Sequence, residues 1–469
     1  MMRKEVSSEL VDPWYHRVLR GAAGHRGGKL HGNKPQRRTV YIICAAVAVC
    51  TLIVFSVSNP IDPKPVSPAA SVKKAVQAKT TSRVAIKAAA DSEAPASPEE
   101  VKSLLKEIDE NMQEVLNSNP KFTKFGPRIK DWDQRRAIAK ANLKKAADSA
   151  GNDTSTTEEA DHDQSSPAAP PRILLVTSSH PNSCSNKQGD QMLLKAIKNK
   201  VDYCRLHGIE IYYNLDKMDD EMTIWWVKVF LTHMLMLKHP EVDWIWWMDS
   251  DAVFTDMSFE LPFEKYANYN MVVHGWEDSL YEKRSWLALN AGVFILRNCQ
   301  WSMDLLHAWA PMSPVGPIRD AIGPLLSQAL PDRPQGQADD QSALVYLMIT
   351  DREKWGSKIY LESSYYFQGY WRILTEKFED MMAKYKPGLY GDDRWPFVTH
   401  FCGCEFCEGV INPGYTPEQC ITQMERAINF ADNQVISHYG FKHPTLETAS
   451  VQPIINQPPK SKAVAHRVS

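Results

Sequence analysis

Hydrophobic and polar positions fall into distinct regimes along the chain. Residues 40–57 run without a charge, a glycine or a proline. As a helix this run spans about 27 Å, close to the roughly 30 Å hydrocarbon core of a bilayer. Arg37 and Arg38 flank its N-terminal side, and Asn59-Pro60 opens the far side. Residues 58–98 hold six prolines and no aromatic residue. Such a segment cannot bury enough apolar surface to offset its ordering entropy, so it reads as a stalk. In 99–117 the apolar positions Val101, Leu104, Leu105, Ile108, Met112, Val115 and Leu116 return at helical spacing, after a start at Ser97-Pro98-Glu99-Glu100. The spacing predicts one amphipathic helix, either self-associating or packed on the body. Residues 145–171 are again polar and end in prolines, as a second linker would.

From Arg172 onward the pattern is that of a folded body. A short apolar run at 173–176 predicts a buried strand ending in Thr177-Ser178-Ser179. Residues 190–206 carry Leu193, Ile197, Val201 and Cys204 on one helical face, with Gly208 as the stop. A strand follows at 209–213, a helix at 219–237, and a third strand at 244–248, broken off by Asp249-Ser250-Asp251. Strands alternating with helices of this length predict an α/β fold on a parallel sheet. Ligands in such sheets sit at the carboxyl ends of the strands. There is no Gly-x-Gly-x-x-Gly or phosphate-loop motif, so dinucleotide and P-loop readings lack their main support.

Composition and charge narrow the picture. The 469 residues carry 54 Lys+Arg and 56 Asp+Glu, a net charge of −2, which excludes bulk electrostatic binding to nucleic acid. The charge is unevenly placed: residues 1–38 hold nine Lys/Arg against three acidic residues. Positive charge on that side of the apolar run predicts a single-pass signal-anchor with the N-terminus cytosolic and the body lumenal. The long leader and the lack of a small-x-small site argue against a cleaved signal peptide. The expected division is a basic tail at 1–38, an anchor at 39–57, a disordered stalk at 58–98, a stem helix and its approach at 99–144, a linker at 145–171, a catalytic domain at 172–445 and a disordered tail at 446–469. In a lumenal body Asn152-Asp153-Thr154 becomes a glycosylation site at Asn152.

The chemistry concentrates at a few positions. Asp249 and Asp251 follow the apolar strand Trp244-Ile245-Trp246-Trp247-Met248, and strand alternation would aim both carboxylates to one side. Two such carboxylates repel unless a cation joins them, and hard oxygen donors suit Mg²⁺ or Mn²⁺. His400, at the end of Phe397-Val398-Thr399-His400-Phe401, is a second ligand candidate. Asp339-Asp340-Gln341-Ser342 opens a helix, so one Asp can cap it while the other faces a substrate.

These motifs, in order, resemble a known family. Trp246-Trp247-Met248-Asp249-Ser250-Asp251-Ala252, His274-Gly275-Trp276, Asn290-Ala291-Gly292-Val293-Phe294, Ala338-Asp339-Asp340-Gln341-Ser342 and Thr399-His400-Phe401 all recur in glycosyltransferase family 34. That family contains the plant xyloglucan 6-xylosyltransferases and galactomannan galactosyltransferases. The resemblance covers about residues 120–445 and includes Lys195-Ala196-Ile197-Lys198-Asn199-Lys200. It implies a GT-A fold, the Rossmann-like fold of nucleotide-diphospho-sugar transferases, as a single catalytic domain behind the anchor and stem. It also implies retaining, metal-dependent transfer from a UDP-sugar, and a type II Golgi membrane protein. Carried over residue by residue, Asp249, Asp251 and His400 hold Mn²⁺ or Mg²⁺. Thr177, Ser178, Lys228, Asp249, Ser250 and Gly403 meet the donor, and Asp339, Asp340 and Gln341 sit at the reacting sugar. Trp276, Asn290, Tyr370 and Trp371 are acceptor candidates, the aromatic ones with core packing as the alternative.

One departure stands out. The family commonly has Lys then Pro after His-Phe-x-Gly-Cys, where this chain has Glu405 and Phe406. Seven cysteines follow the anchor, and an oxidising lumen favours disulfides over a zinc site at Cys402-x-Cys404-x-x-Cys407. The family pattern has Cys404, Cys407 and Cys420, which leaves Cys402 as the odd thiol. The expected activity is transfer of xylose from UDP-xylose, α-1,6, onto glucose of a β-1,4-glucan. The alternatives are α-galactosyl transfer from UDP-galactose onto a mannan, or a weakly active scaffold subunit. The expected partners are the UDP-sugar, a β-glucan or mannan oligosaccharide, the Golgi membrane, and a homo- or hetero-dimer with related glycosyltransferases.

Overall fold

The structure is a computed structural model that describes residues 97–118, 125–151, 170–179, 181–216, 224–390, 394–407, 412 and 414–455. Helix α1, Pro98–Ser118, begins with a capping box: the Ser97 backbone N–H donates to Glu100 at 2.7 Å and the Glu100 N–H donates to the Ser97 hydroxyl at 3.3 Å. Its apolar face packs into the body. Ile108 and Met112 are fully buried in the main core, with Leu104, Leu105, Val115 and Leu116 against it. The stem helix is therefore packed on the body. Helix α2, Trp132–Gly151, continues into the segment read as a linker. Trp132 Nε1 donates to Asn298 at 2.8 Å, and Arg136 and Lys140 both reach Asp243, which ties α2 beneath the central sheet.

Strand β1, Ile173–Ser178, leads to helix α3, Lys187–His207, and to β2, Glu210–Asn214. Asn186 caps α3 by accepting from the Gly189 N–H at 2.6 Å. Gly208 ends it in the left-handed conformation at φ 65°, where a Cβ would be strained. Helix α4, Val227–Lys238, precedes β3, Trp244–Met248, and a turn leads to β4, Ala252–Phe254. There follow β5, Met271–Gly275, and β6, Leu289–Arg297. Helices α5, Gln300–Trp309, α6, Pro317–Ala329, and α7, Asp340–Thr350, come next. Further along the chain lie β7, Ile359–Glu362, β8, Gly369–Tyr370, β9, Val398–His400, and, after two short helices at Trp371–Leu374 and Phe378–Lys384, the long helix α8, Pro417–Ile436.

The main sheet has six strands in the order β2-β1-β3-β6-β5-β7. It is not wholly parallel as the alternation predicted. β6 runs antiparallel to both β3 and β5. Parallel neighbours need a helical crossover, which α3 and α4 supply before β2 and β3. The connection from β5 to β6 holds only a single short turn of helix, so the chain returns antiparallel.

Strand alternation divides the core. Leu174, Val176, Ile245, Trp247, Val273 and Phe294 face the α1, α4, α5 and α7 side, whereas Leu175, Trp244, Trp246, Val272 and Ile295 face Tyr203 of α3. Both sheet faces are covered, which is why the strands read as continuous apolar runs. A second sheet, β4-β9-β8, sits at the carboxyl end of β3.

The expectation of a membrane anchor and of a type II Golgi placement is corrected here. Among the described residues no helix is long and apolar enough to cross a membrane. The run at 40–57 lies outside the described residues, as do the stalk before residue 97 and Asn152. Over the described residues the structure is an α/β body. The C-terminal boundary at 445 also shifts, because Leu446 is buried and its carbonyl accepts from Asn429 Nδ2 at 2.8 Å.

Candidate metal and donor site

The site forms where β3 ends. The Asp249 N–H donates to the Gly292 carbonyl of β6 at 2.8 Å, and the Ala252 N–H closes a turn onto the Asp249 carbonyl at 3.2 Å. The acidic triplet is therefore a turn between β3 and β4, not an extension of the strand. Register then delivers the histidine. In the β4–β9 pair Ala252 lies opposite His400, and the Phe401 N–H donates to the Asp251 carbonyl at 3.0 Å. His400 Nε2 thereby comes to 3.2 Å from Asp251 and 3.9 Å from Asp249.

Among the described residues, Asp249, Asp251 and His400 are the one group whose ligand atoms could hold a metal ion, all within 4.8 Å of one another. Two hard carboxylates and one imidazole suit a divalent cation. The surroundings fit this use. His400 Nδ1 is engaged from behind by Gln368 Nε2 and by Cys402 Sγ, each at 3.2 Å, which aims Nε2 at the carboxylates. Gly292 leaves the cradle open: a Cβ there would lie 2.2 Å from His400 Cε1 and 2.8 Å from Asp249 Oδ2.

The electrostatics are those of a partly buried charged cluster. Burial pushes the Asp251 carboxyl up, but the facing His400 and nearby Lys200 outweigh it and hold it below the ordinary range. Burial would lower His400, yet Cys402 and Asp251 together raise it well above the usual imidazole value. Lys200 is fully buried beneath the turn, donating to the Ala252 carbonyl at 2.6 Å and the Ser250 carbonyl at 3.3 Å. Burial lowers it to about 8.

A second charged group joins the metal cluster to the start of α7. Lys228 Nζ, on α4, is 2.8 Å from Asp340 and 3.3 Å from Asp249, and donates to the Ala291 carbonyl at 3.2 Å. Burial opposes its charge, but the two carboxylates prevail and raise it. Burial pushes Asp340 up to about 6, against the pull of Lys228. Gln341 is fixed from both ends, accepting from the Ala291 N–H at 3.2 Å and donating to the Trp286 carbonyl at 2.9 Å. Asp339 instead caps α7 at the Ser342 N–H, 2.7 Å, and holds Arg333 at 2.8 Å. Asp339, named with Asp340 for the reacting sugar, is thus engaged in capping α7 and holding Arg333, and Asp340 is the one of the two that meets Lys228 at the cluster.

A cleft opens beside the turn, lined by Ser178, Ser179, Leu193, Trp225, Trp247, Asp249, Ser250, Asp251 and the segment Cys404, Glu405, Phe406 and Cys407. Ser178 and Ser250, named as donor candidates, line this cleft. Thr177 is buried behind them, its hydroxyl without a hydrogen-bond partner among the described residues. Gly403 has φ 84°, and a Cβ there would meet the Tyr415 ring at 2.8 Å. Glu405 faces the same cleft as the two metal-site carboxylates.

Of the acceptor candidates, Trp276 and Tyr370 present about half and a third of their surface. The Asn290 carboxamide is turned inward onto the Gly292 N–H at 2.8 Å. Trp371 is corrected: it is buried, stacked on Phe401 and edge-on to Tyr415, and offers no face to a sugar. Among the described residues the cysteines form two disulfides, Cys184–Cys407 and Cys404–Cys420. Cys204, Cys299 and Cys402 stand outside them.

Sequence reasoning missed Gln368, Lys200, Trp225 and the role of Gly292. Gly292 and Lys200 lay inside recognised runs. Gln368 gave no signal, because it is a loop residue brought to His400 only by the β8–β9 pairing.

At the end of the third strand of this α/β sheet, a carboxylate–carboxylate–histidine cluster could hold a divalent cation. Residues 169–410 match the galactosyl transferase GMA12/MNN10 family. The chain is 52% identical over 334 residues to xyloglucan 6-xylosyltransferase 1 of Arabidopsis thaliana, covering 71% of this chain and 68% of that one. It is 49% identical over 350 residues to xyloglucan 6-xylosyltransferase 2 of the same plant, covering 75% and 72%. It is 52% identical over 337 residues to probable glycosyltransferase 2 of Oryza sativa subsp. indica, covering 72% and 66%. The chain belongs to this family, glycosyltransferase family 34, and is a UDP-sugar-dependent glycosyltransferase that transfers to a glycan acceptor.

Proposed function

We propose that this protein transfers xylose from UDP-xylose, with retention, onto O6 of glucose in a β-1,4-glucan. The similarity to two xyloglucan 6-xylosyltransferases supports this reading most strongly. Asp249, Asp251 and His400 would hold Mn²⁺, which neutralises charge on the departing diphosphate. Lys228 binds Asp249 and Asp340 at once, so it couples the metal end of the site to the sugar end. Asp340 and Gln341, held by Lys228, Ala291 and Trp286, meet the transferred sugar. Trp276 and Tyr370, partly exposed, offer stacking faces to glucan rings. The family description as galactosyl transferases favours a second reading, α-galactosyl transfer from UDP-galactose onto a mannan.

A panel of UDP-xylose and UDP-galactose against cello- and manno-oligosaccharides, with linkage and anomeric configuration read by NMR, tests the proposal. It predicts an α-1,6-xylosyl product on the cello-oligosaccharide. A galactosylated manno-oligosaccharide alone contradicts it and establishes the second reading.

The raised Asp340 gives a pH dependence. Above about pH 6 it is ionised and pairs with Lys228; below that it takes up a proton and the pairing is lost. Turnover should therefore fall as pH drops through about 6. Asp340→Asn should lower the plateau and remove that acid limb from a pH profile of kcat.

Glu405 bears on donor affinity. A carboxylate in the donor cleft repels a diphosphate, and opposite charges ~4 Å apart at an effective dielectric of about 20 attract by about 4 kcal/mol before desolvation. After those costs Glu405→Lys should tighten UDP binding by roughly 1–2 kcal/mol, about tenfold. Calorimetric titration of UDP with Mn²⁺ into both proteins checks it, and unchanged or weaker binding in the variant would refute it.

A further inference from the structure

The donor cleft has one wall built from four consecutive residues, Cys404, Glu405, Phe406 and Cys407. Each end of that wall is a half-cystine. Cys404 is bonded to Cys420 in the first turn of α8, and Cys407 is bonded to Cys184 in the loop before α3. The loop before α3 grips the wall along its length. The Ser185 N–H and hydroxyl both donate to the Cys407 carbonyl, at 3.1 and 2.9 Å, and Asn186 Nδ2 donates to the Phe406 carbonyl at 2.8 Å. The approach is close: a Cβ on Gly189 would stand 2.4 Å from the Phe406 carbonyl oxygen.

The two disulfides differ in environment. Cys404 and Cys420 are buried in the core cluster of α8, whereas Cys184 and Cys407 are only half-buried at the surface. No metal-cluster residue belongs to the outer bond, and the cluster is held separately by β3, β4, β6 and β9.

We propose that Cys184–Cys407 is a positioning clasp for the donor site: it holds the 404–407 wall against the loop before α3 and thereby sets UDP affinity, and its reduction weakens donor binding while the metal cluster stays intact. The inference rests on the reading of this cleft as the UDP-sugar site. Its physical basis is pre-organisation. A wall fixed before binding costs the ligand no loop-ordering entropy, whereas a wall bonded covalently only at Cys404 and held elsewhere by hydrogen bonds to Ser185 and Asn186 is looser and must be ordered further when UDP arrives. The chemistry is thiol–disulfide exchange. A dithiol attacks one sulfur of the half-buried outer bond, passes through a mixed disulfide and closes to its own cyclic disulfide, leaving Cys184 and Cys407 as thiols. Two electrons and two protons pass from the dithiol to the protein pair.

The test uses the intact protein. It is treated with a graded dithiol, freed of reagent and titrated calorimetrically with Mn²⁺ alone and with UDP plus Mn²⁺, while alkylation and mass mapping report which cysteines opened. We expect Cys184 and Cys407 to open first, the UDP dissociation constant to rise about tenfold, and the affinity for Mn²⁺ alone to stay unchanged. The double variant Cys184→Ser/Cys407→Ser should reproduce the weaker UDP binding without reductant and lose sensitivity to it. UDP affinity unchanged after the outer bond opens, or earlier opening of Cys404–Cys420, overturns the proposal. Failure of the oxidised protein to bind UDP at all would count against the reading of the cleft instead.

Discussion

Replacing Asp251 or His400 by alanine is expected to lower metal-dependent transfer at least about a hundredfold while leaving the fold intact. A pre-organised group that stabilises developing charge is worth about that much when removed. His400 and Asp251 face each other at 3.2 Å beside Asp249, and strand β9 and the β3–β4 turn that carry them are held by backbone hydrogen bonds that alanine does not disturb. His400→Ala also frees Gln368 and Cys402 from their shared partner, so a modest loss of melting temperature should accompany the loss of turnover. Turnover with saturating Mn²⁺ and after chelation measures the effect. Near-native activity of Asp251→Ala in the presence of chelator would refute the metal role.

Removing residues 97–118 is expected to destabilise the protein severely. Ile108 and Met112 of α1 are fully buried in the main core, with four more apolar side chains against it. Fully burying one such side chain contributes about 1.5–3 kcal/mol. The loss is thus several kcal/mol against a typical total of roughly 5–15. The Tyr346 hydroxyl would also lose its partner Asp109, to which it donates at 2.7 Å. A chain beginning near residue 120 should aggregate or melt far below one beginning at 97. Equal melting temperatures by calorimetry would show that the helix is dispensable.

Much of this fold was legible because the relevant signals are local. The run Trp244–Met248, buried at every position, and the Gly208 stop after α3 are set by burial and by backbone conformation at single residues. The metal cluster was legible as residue types but not as geometry. Asp249 and Asp251 converge through a turn, and His400 reaches them through pairing of β9 with β4, a contact between segments about 150 residues apart that no local pattern encodes. The reversal of β6 was hidden for the same reason: a strand buried on both faces reads identically in either direction. Trp371 shows the opposite failure. An aromatic beside a predicted site has the same letter whether it stacks on a sugar or on Phe401. Lys228 and Asp340 gained their meaning only when α4 and α7 met, since a buried ion pair depends on both partners being present.

In the proposed reaction Asp249, Asp251 and His400 hold the cation that carries the UDP diphosphate. Anomalous scattering from crystals grown with Mn²⁺ and UDP tests it directly. One strong manganese peak is expected within coordination distance of Asp249, Asp251 and His400, with both UDP phosphates beside it and the nucleotide lying in the cleft walled by residues 404–407. A nucleotide bound in that cleft with no manganese at the three side chains, or manganese bound elsewhere, would contradict it.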